Sequence, residues 1–154
     1  MQLEGYLDQA RTLVLSGVAD RDELLRRLAE ASQPALPGRT VEELVAALQE
    51  RETSMPTSTP EGVGFPHAML PGLEETVVTP ARLIPGVAMG APDHPPVDIV
   101  FCMFGSSDRA WDHVRLLARL ARIARGPGAL EHLRGAKTSE AFFTALVEED
   151  RSHG

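Results

Sequence analysis

The sequence predicts an α/β (α+β) fold, a single mixed β-sheet flanked by helices on both sides, and three observations lead to it. Two capped amphipathic segments come first, three β-type runs follow, and amphipathic segments return after Gly105. Helices, then strands, then helices again suit a sheet held between two helical layers. The last β-type run, VDIVFCMF at 97–104, is almost continuously apolar, as a central strand covered on both faces requires. With 154 residues and 43% hydrophobic content, the chain can bury one core and is too short for two. One domain over 1–154 is therefore expected, with 1–18 an unassigned leader and 151–154 a frayed tail.

Residues 1–8 read as a short helix or frayed leader, and Arg11 to Val18 (RTLVLSGV) as a short strand before a glycine turn. Asp20 and Glu23 make a capping-box pair for a helix whose stripe is Leu24, Leu25 and Leu28 and which ends near Ser32. QPALPGR breaks it. Thr40, with Glu43 in the capping-box position, then starts a second helix that turns Val41, Leu44, Val45 and Leu48 inward and runs to about Arg51. The segment from Thr53 to Gly64 (TSMPTSTPEGVG) is rich in proline, glycine and hydroxyl residues, which predicts a long ordered surface loop. Loops of that length in a small domain tend to carry function.

β-type runs occupy Thr76 to Leu83, Gly86 to Met89 and Val97 to Phe104, with DHPP turning the chain before the last. From about Arg109 to Ala124 a long helix is expected, with Val114, Leu117, Leu120, Ala121 and Ala124 inward and Arg115, Arg119 and Arg122 on the other face. GPG interrupts at 126–128, and a short helix covers Ala129 to Arg134. A last helix starts near Thr138 or Ser139 and carries Phe142, Phe143, Leu146 and Val147 inward.

Composition narrows the function. A formal net charge of −7 argues against nucleic acid, because neutralising a phosphate backbone needs a basic surface. The chain has no apolar run of membrane-spanning length, and MQLEGYLDQARTLVL lacks the order of a signal peptide, so no membrane insertion and a cytoplasmic location are expected. Cys102 stands alone, which excludes an internal disulfide or a cysteine zinc site and suits a buried strand residue. No cofactor is implied.

The chemistry concentrates in Arg51-Glu52, Thr57, Gly62 and Gly64-Phe65-Pro66-His67. Asp112-His113-Val114 with Leu116-Leu117-Ala118 forms a second cluster, and Leu133, Gly135-Ala136 and Thr138-Ser139-Glu140 close the pattern. Over roughly residues 20–150 this resembles the mannitol/fructose/nitrogen-regulatory class of enzyme IIA proteins of the bacterial sugar phosphotransferase system. The resemblance implies the enzyme IIA mannitol/fructose-type fold, with His67 as the phosphorylated histidine and His113 beside it. It also implies an upstream partner, the histidine phosphocarrier protein HPr or a nitrogen-branch counterpart, and a downstream permease subunit or regulatory protein.

The residue types suit that chemistry. A histidine that accepts phosphate must be neutral and must offer one defined nitrogen, which requires the other to be hydrogen-bonded to something fixed. Pro66 restricts the backbone before the ring, and Gly62 and Gly64 allow close backbone approach. Arg51 can give two parallel N–H donors to phosphoryl oxygens, and Thr57 a hydroxyl donor. Arg51, Thr57, His67 and His113 are therefore expected to form one cluster, with Glu52 in a structural contact or facing solvent and no role for His94, His132 or His153.

Three other readings stand beside the phosphocarrier. Pro56-Thr57-Ser58-Thr59-Pro60 replaces much of the Ser-Thr-Gly-type loop of the class, which points to an IIA-fold module that regulates partners without phosphorylation. A fructose- or mannitol-specific transport component would need a separate permease, so the regulatory nitrogen type is favoured over it. A metal hydrolase built on His67 and His113 is weaker, because no acidic residue stands at a metal-ligand spacing from either.

Overall fold

A computed structural model describes residues 2–153. Its strands are β1 (Leu13–Ser16), β2 (Val63–Gly64), β3 (His67–Leu70), β4 (Val77–Val87) and β5 (Val97–Ser106). Its helices are α1 (Arg21–Ser32), α2 (Val41–Ser54), α3 (Ala110–Ala124), α4 (Pro127–Arg134) and α5 (Ser139–Ser152). The strands form one open mixed sheet with the order β1-β4-β5-β2, and β3 continues the β2 edge along β5. The β4–β5 pair is antiparallel, whereas β1 runs parallel to β4 and both β2 and β3 run parallel to β5.

Alternation along β5 distributes the core between two layers. Val100, Cys102 and Phe104 meet Leu24, Leu25, Leu28, Leu44 and Leu48 of α1 and α2. Ile99, Phe101 and Met103 meet Leu116, Leu120, Ile123, Phe142 and Leu146 of α3 and α5. Local signals start the helices as expected: Asp20 accepts from the Glu23 N–H, Thr40 from the Glu43 N–H and Thr138 from the Ala141 N–H, at 2.9, 3.1 and 3.1 Å.

Several expectations are revised. The two runs at 76–83 and 86–89 are one strand, β4, whose pairing with β5 shifts register between Arg82 and Val87; Met89 lies past its end. The expected loop from Thr53 to Gly64 begins as the last residues of α2 and ends as β2, and β3 follows where no strand was expected. In α3 the buried set is His113, Leu116, Arg119, Leu120, Ile123 and Ala124, about one residue out of phase with the expected stripe, and Val114 is exposed. Phe143 is only half-buried.

The reason for that phase is a buried ion pair. Arg119, expected on the outer face, is 6% exposed, and its Nε donates to Oδ1 of Asp150 at 2.8 Å. The other carboxylate oxygen of Asp150 accepts the Leu3 N–H at 2.8 Å and the Glu4 N–H at 3.2 Å. Leu3 is thereby fully buried, and short 3-10 turns at Glu4–Tyr6 and Gln9–Arg11 replace the helix or frayed leader. At the other end α5 continues to Ser152 rather than fraying, and the His153 ring bonds the Glu149 carbonyl at 2.7 Å. Among the described residues no helix is long and apolar enough to cross a membrane.

Candidate functional site

His67 is the first residue of β3, opposite Met103 of β5. Just before it, the Pro66 carbonyl accepts the Met103 N–H at 3.0 Å, so the chain is tied to the central strand where the ring departs. The ring lies on the α3 side of the sheet and is half-buried. Its Nδ1 is 2.7 Å from the Phe65 carbonyl oxygen. A carbonyl can only accept, so Nδ1 carries the proton, and in the neutral ring Nε2 keeps its lone pair. One fixed hydrogen bond has selected the tautomer a nucleophile needs.

His113, on the first turn of α3, faces this ring with the centroids 5.4 Å apart and the planes inclined by 42°. It is 5% exposed, and neither ring nitrogen has a hydrogen-bond partner. Burial, followed by the neighbouring His67, pushes its pKa down to about 4. At neutral pH the ring is therefore uncharged, with one N–H that finds no acceptor in the protein. Gly105, at the end of β5, makes this placement possible. A Cβ there would stand 2.7 Å from His113 Cγ and 2.9 Å from Met69 Sδ, so the imidazole occupies the space a side chain would take.

The loop between α2 and β2 is held from both sides. Glu52, 1% exposed, accepts the Thr57 hydroxyl proton in a short hydrogen bond and the Thr57 N–H at 3.3 Å. Thr57 Oγ1 in turn accepts the Phe65 N–H at 3.2 Å. Ser58 shares a hydrogen bond of 3.0 Å with His94, and the Thr59 N–H reaches the Val63 carbonyl at 2.8 Å. Gly62 adopts φ +83°, and its carbonyl accepts the Asp98 N–H at 3.0 Å, aligning the chain for β2.

Of the residues singled out in the sequence, the structure brings the rings of His67 and His113 together. Thr57 lies in the same loop, but its hydroxyl proton goes to Glu52 rather than outward. Arg51 caps its own helix, donating from Nη1 to the Met55 carbonyl at 2.9 Å. Glu52 makes a structural contact, and His94 holds the loop although no role was expected of it. Gly105, Met69 and Ser58 were not anticipated. A glycine ending an apolar strand was the one visible hint of a close approach. Cys102 is a buried strand residue, and burial pushes its thiol well above its ordinary range. Met69, whose sulfur shares the space beside Gly105 with the His113 ring, is exposed, as are Trp111 and Val114 elsewhere on α3, Trp111 by 71%.

Comparison with known proteins bears on the chain as a whole. Residues 6–149 match the family model described as phosphoenolpyruvate-dependent sugar phosphotransferase system, EIIA 2. A nitrogen regulatory protein of Bradyrhizobium diazoefficiens is 31% identical over 130 residues, covering 84% of each chain. The crystal structure of nitrogen regulatory protein IIA-Ntr from Neisseria meningitidis superposes with a TM-score of 0.84 at 21% identity, covering 94% of this chain and 98% of that one. A solution structure of enzyme IIAMTL in complex with phosphorylated enzyme IIBMTL from Escherichia coli gives 0.71 at 19% identity, covering 90% and 96%. The last two likenesses concern the fold.

Proposed function

The chain belongs to the EIIA 2 family of the phosphoenolpyruvate-dependent sugar phosphotransferase system, and on that premise we propose that it is a regulatory phosphocarrier which accepts a phosphoryl group on Nε2 of His67. The observation that carries the reading is the Nδ1 hydrogen bond to the Phe65 carbonyl, which leaves Nε2 as the one nitrogen with a free lone pair. The donor is a phosphohistidine on HPr or its nitrogen-branch counterpart. As Nε2 bonds to phosphorus, the N–P bond of the donor breaks and its ring recovers the electron pair, so no water takes part.

Catalysis of such a transfer is positioning and charge stabilisation. His113 supplies its unpartnered N–H to a phosphoryl oxygen, and being neutral it imposes no second charge on the attacking ring. Arg51 adds the cation: with one N–H on Met55, the guanidinium keeps further donors for phosphoryl oxygens. Thr57 serves through its hold on Phe65 rather than as a direct donor. Met69, exposed beside the His113 ring, gives a partner protein an apolar contact that helps exclude water from the labile N–P bond.

The relatives named nitrogen regulatory protein favour a regulatory role, in which the phosphorylation state sets the affinity for a downstream protein. Incubation with phosphoenolpyruvate, enzyme I and HPr tests the reading by intact-mass measurement. One acid-labile phosphoryl adduct is expected on the wild type and none on His67→Ala. A wild type without the adduct with either HPr or its nitrogen-branch counterpart overturns it, and unchanged partner capture by His67→Ala would then identify a binding module.

A further inference from the structure

Glu52 is a buried acidic side chain that stands one step behind the histidine loop. It is 1% exposed, and among the described residues it makes no ion pair; its partners are the N–H and the hydroxyl of Thr57. What its two oxygens add is a fixed place for Thr57. Having no proton to give, it obliges Thr57 to donate both its N–H and its O–H, one to each oxygen. The Thr57 oxygen is then left as an acceptor, and it takes the Phe65 N–H at 3.2 Å. On the other side of the same residue, the Phe65 carbonyl holds the His67 Nδ1 proton at 2.7 Å.

We propose that Glu52 is a positioning residue for phosphoryl acceptance, fixing the tautomer of His67 through Thr57 and the backbone of Phe65. The Phe65 N–H can only donate and its carbonyl can only accept, so what Glu52 and Thr57 transmit is position: they hold the Phe65 backbone where its carbonyl meets Nδ1. Pro66 stiffens the last step by fixing φ between the carbonyl and the histidine. Glu52 touches neither phosphorus nor the attacking nitrogen. Its replacement by glutamine leaves one oxygen for the two Thr57 donors and sets an NH2 group against the other, so Thr57 must shift and the Phe65 backbone with it.

The proposal rests on the reading of His67 as the acceptor, and its test separates the two. Nitrogen-15 correlation spectra of the full chain report which His67 nitrogen is protonated, without any phosphoryl donor. Wild type is expected as the Nδ1–H tautomer. Glu52→Gln and Thr57→Val are expected to mix in the Nε2–H form and to slow phosphoryl uptake roughly 10- to 100-fold, the scale for a misplaced reacting group. Thr57→Ser, which keeps the hydroxyl, is expected to restore both readouts. A folded Glu52→Gln with wild-type tautomer and uptake overturns the proposal. If Glu52→Gln does not fold, Thr57→Val decides by the same two measurements. Absence of phosphoryl uptake in the wild type overturns the phosphocarrier reading, and the tautomer result then decides the positioning role alone.

Discussion

Replacing Gly105 by alanine tests the packing that creates the histidine pair. Its backbone needs no special conformation, since the positive-φ glycines are Gly17, Gly38, Gly62, Gly72 and Gly90, so the effect is steric. The added Cβ would lie 2.7 Å from His113 Cγ, against 3.4–4 Å for ordinary contact, so the ring must retreat by roughly an ångström. Met69 Sδ, at 2.9 Å, ends a flexible side chain and can move; the imidazole, buried on α3, cannot move freely. Overpacking of this kind costs about 1–3 kcal/mol. Displacement toward solvent also relieves the burial that depresses the His113 pKa, which should climb from about 4 toward the ordinary 6.5. Urea unfolding of wild type, Gly105→Ala, His113→Ala and the double variant measures the coupling. In the His113→Ala background the obstruction is gone, and Gly105→Ala should cost less than about 0.5 kcal/mol. An equal cost in both backgrounds, or an unchanged His113 titration in Gly105→Ala, would refute the reasoning.

Three further outcomes follow from the geometry. Asp150→Asn leaves Arg119 buried without its counter-charge and should lower stability by about 3–5 kcal/mol, read by denaturant unfolding, while amide exchange at Leu3 and Glu4 speeds up. His113 binds its proton at about 4 in the folded state and at the ordinary 6.5 when unfolded, so between those values the unfolded chain holds more protons. Stability should therefore fall with acidification across that window, by up to about 1.4 kcal/mol per pH unit, and wild type minus His113→Gln isolates this slope. Gly62→Ala forces a side chain into φ +83° beside Arg134 Nη2 at 3.1 Å and Pro96 O at 3.3 Å, and should cost about 1–2 kcal/mol in the same assay.

The helix starts were legible because each cap is a local bond between residues three apart, as with Thr40 and Glu43. The central strand was legible because burial on both faces leaves little room for polar residues. What escaped depends on distant partners. β3 is four residues long, and only parallel pairing with β5, thirty-six residues on, makes it a strand. Arg119 looked like a surface cation because Asp150, thirty-one residues away, supplies its environment. Ile84-Pro85 separated two expected strands, yet β4 passes through it with a register shift. At the site, the motif singled out both histidines, whose rings the fold brings side by side, and Thr57. The Thr57 hydroxyl was expected to point outward because nothing local reveals that Glu52 is buried behind it.

The broken edge at Phe65-Pro66 has a consequence for self-association. One border of the sheet is β1, of four residues, and the other is divided into β2 and β3, of two and four. Pro66, between the two pieces, has no N–H to offer a neighbour. A strand from a second molecule would find no more than four consecutive residues as a template, while the long β4–β5 ladder lies in the interior. The kink that presents the imidazole thus also discourages fibrous growth, and straightening it would be expected to encourage aggregation.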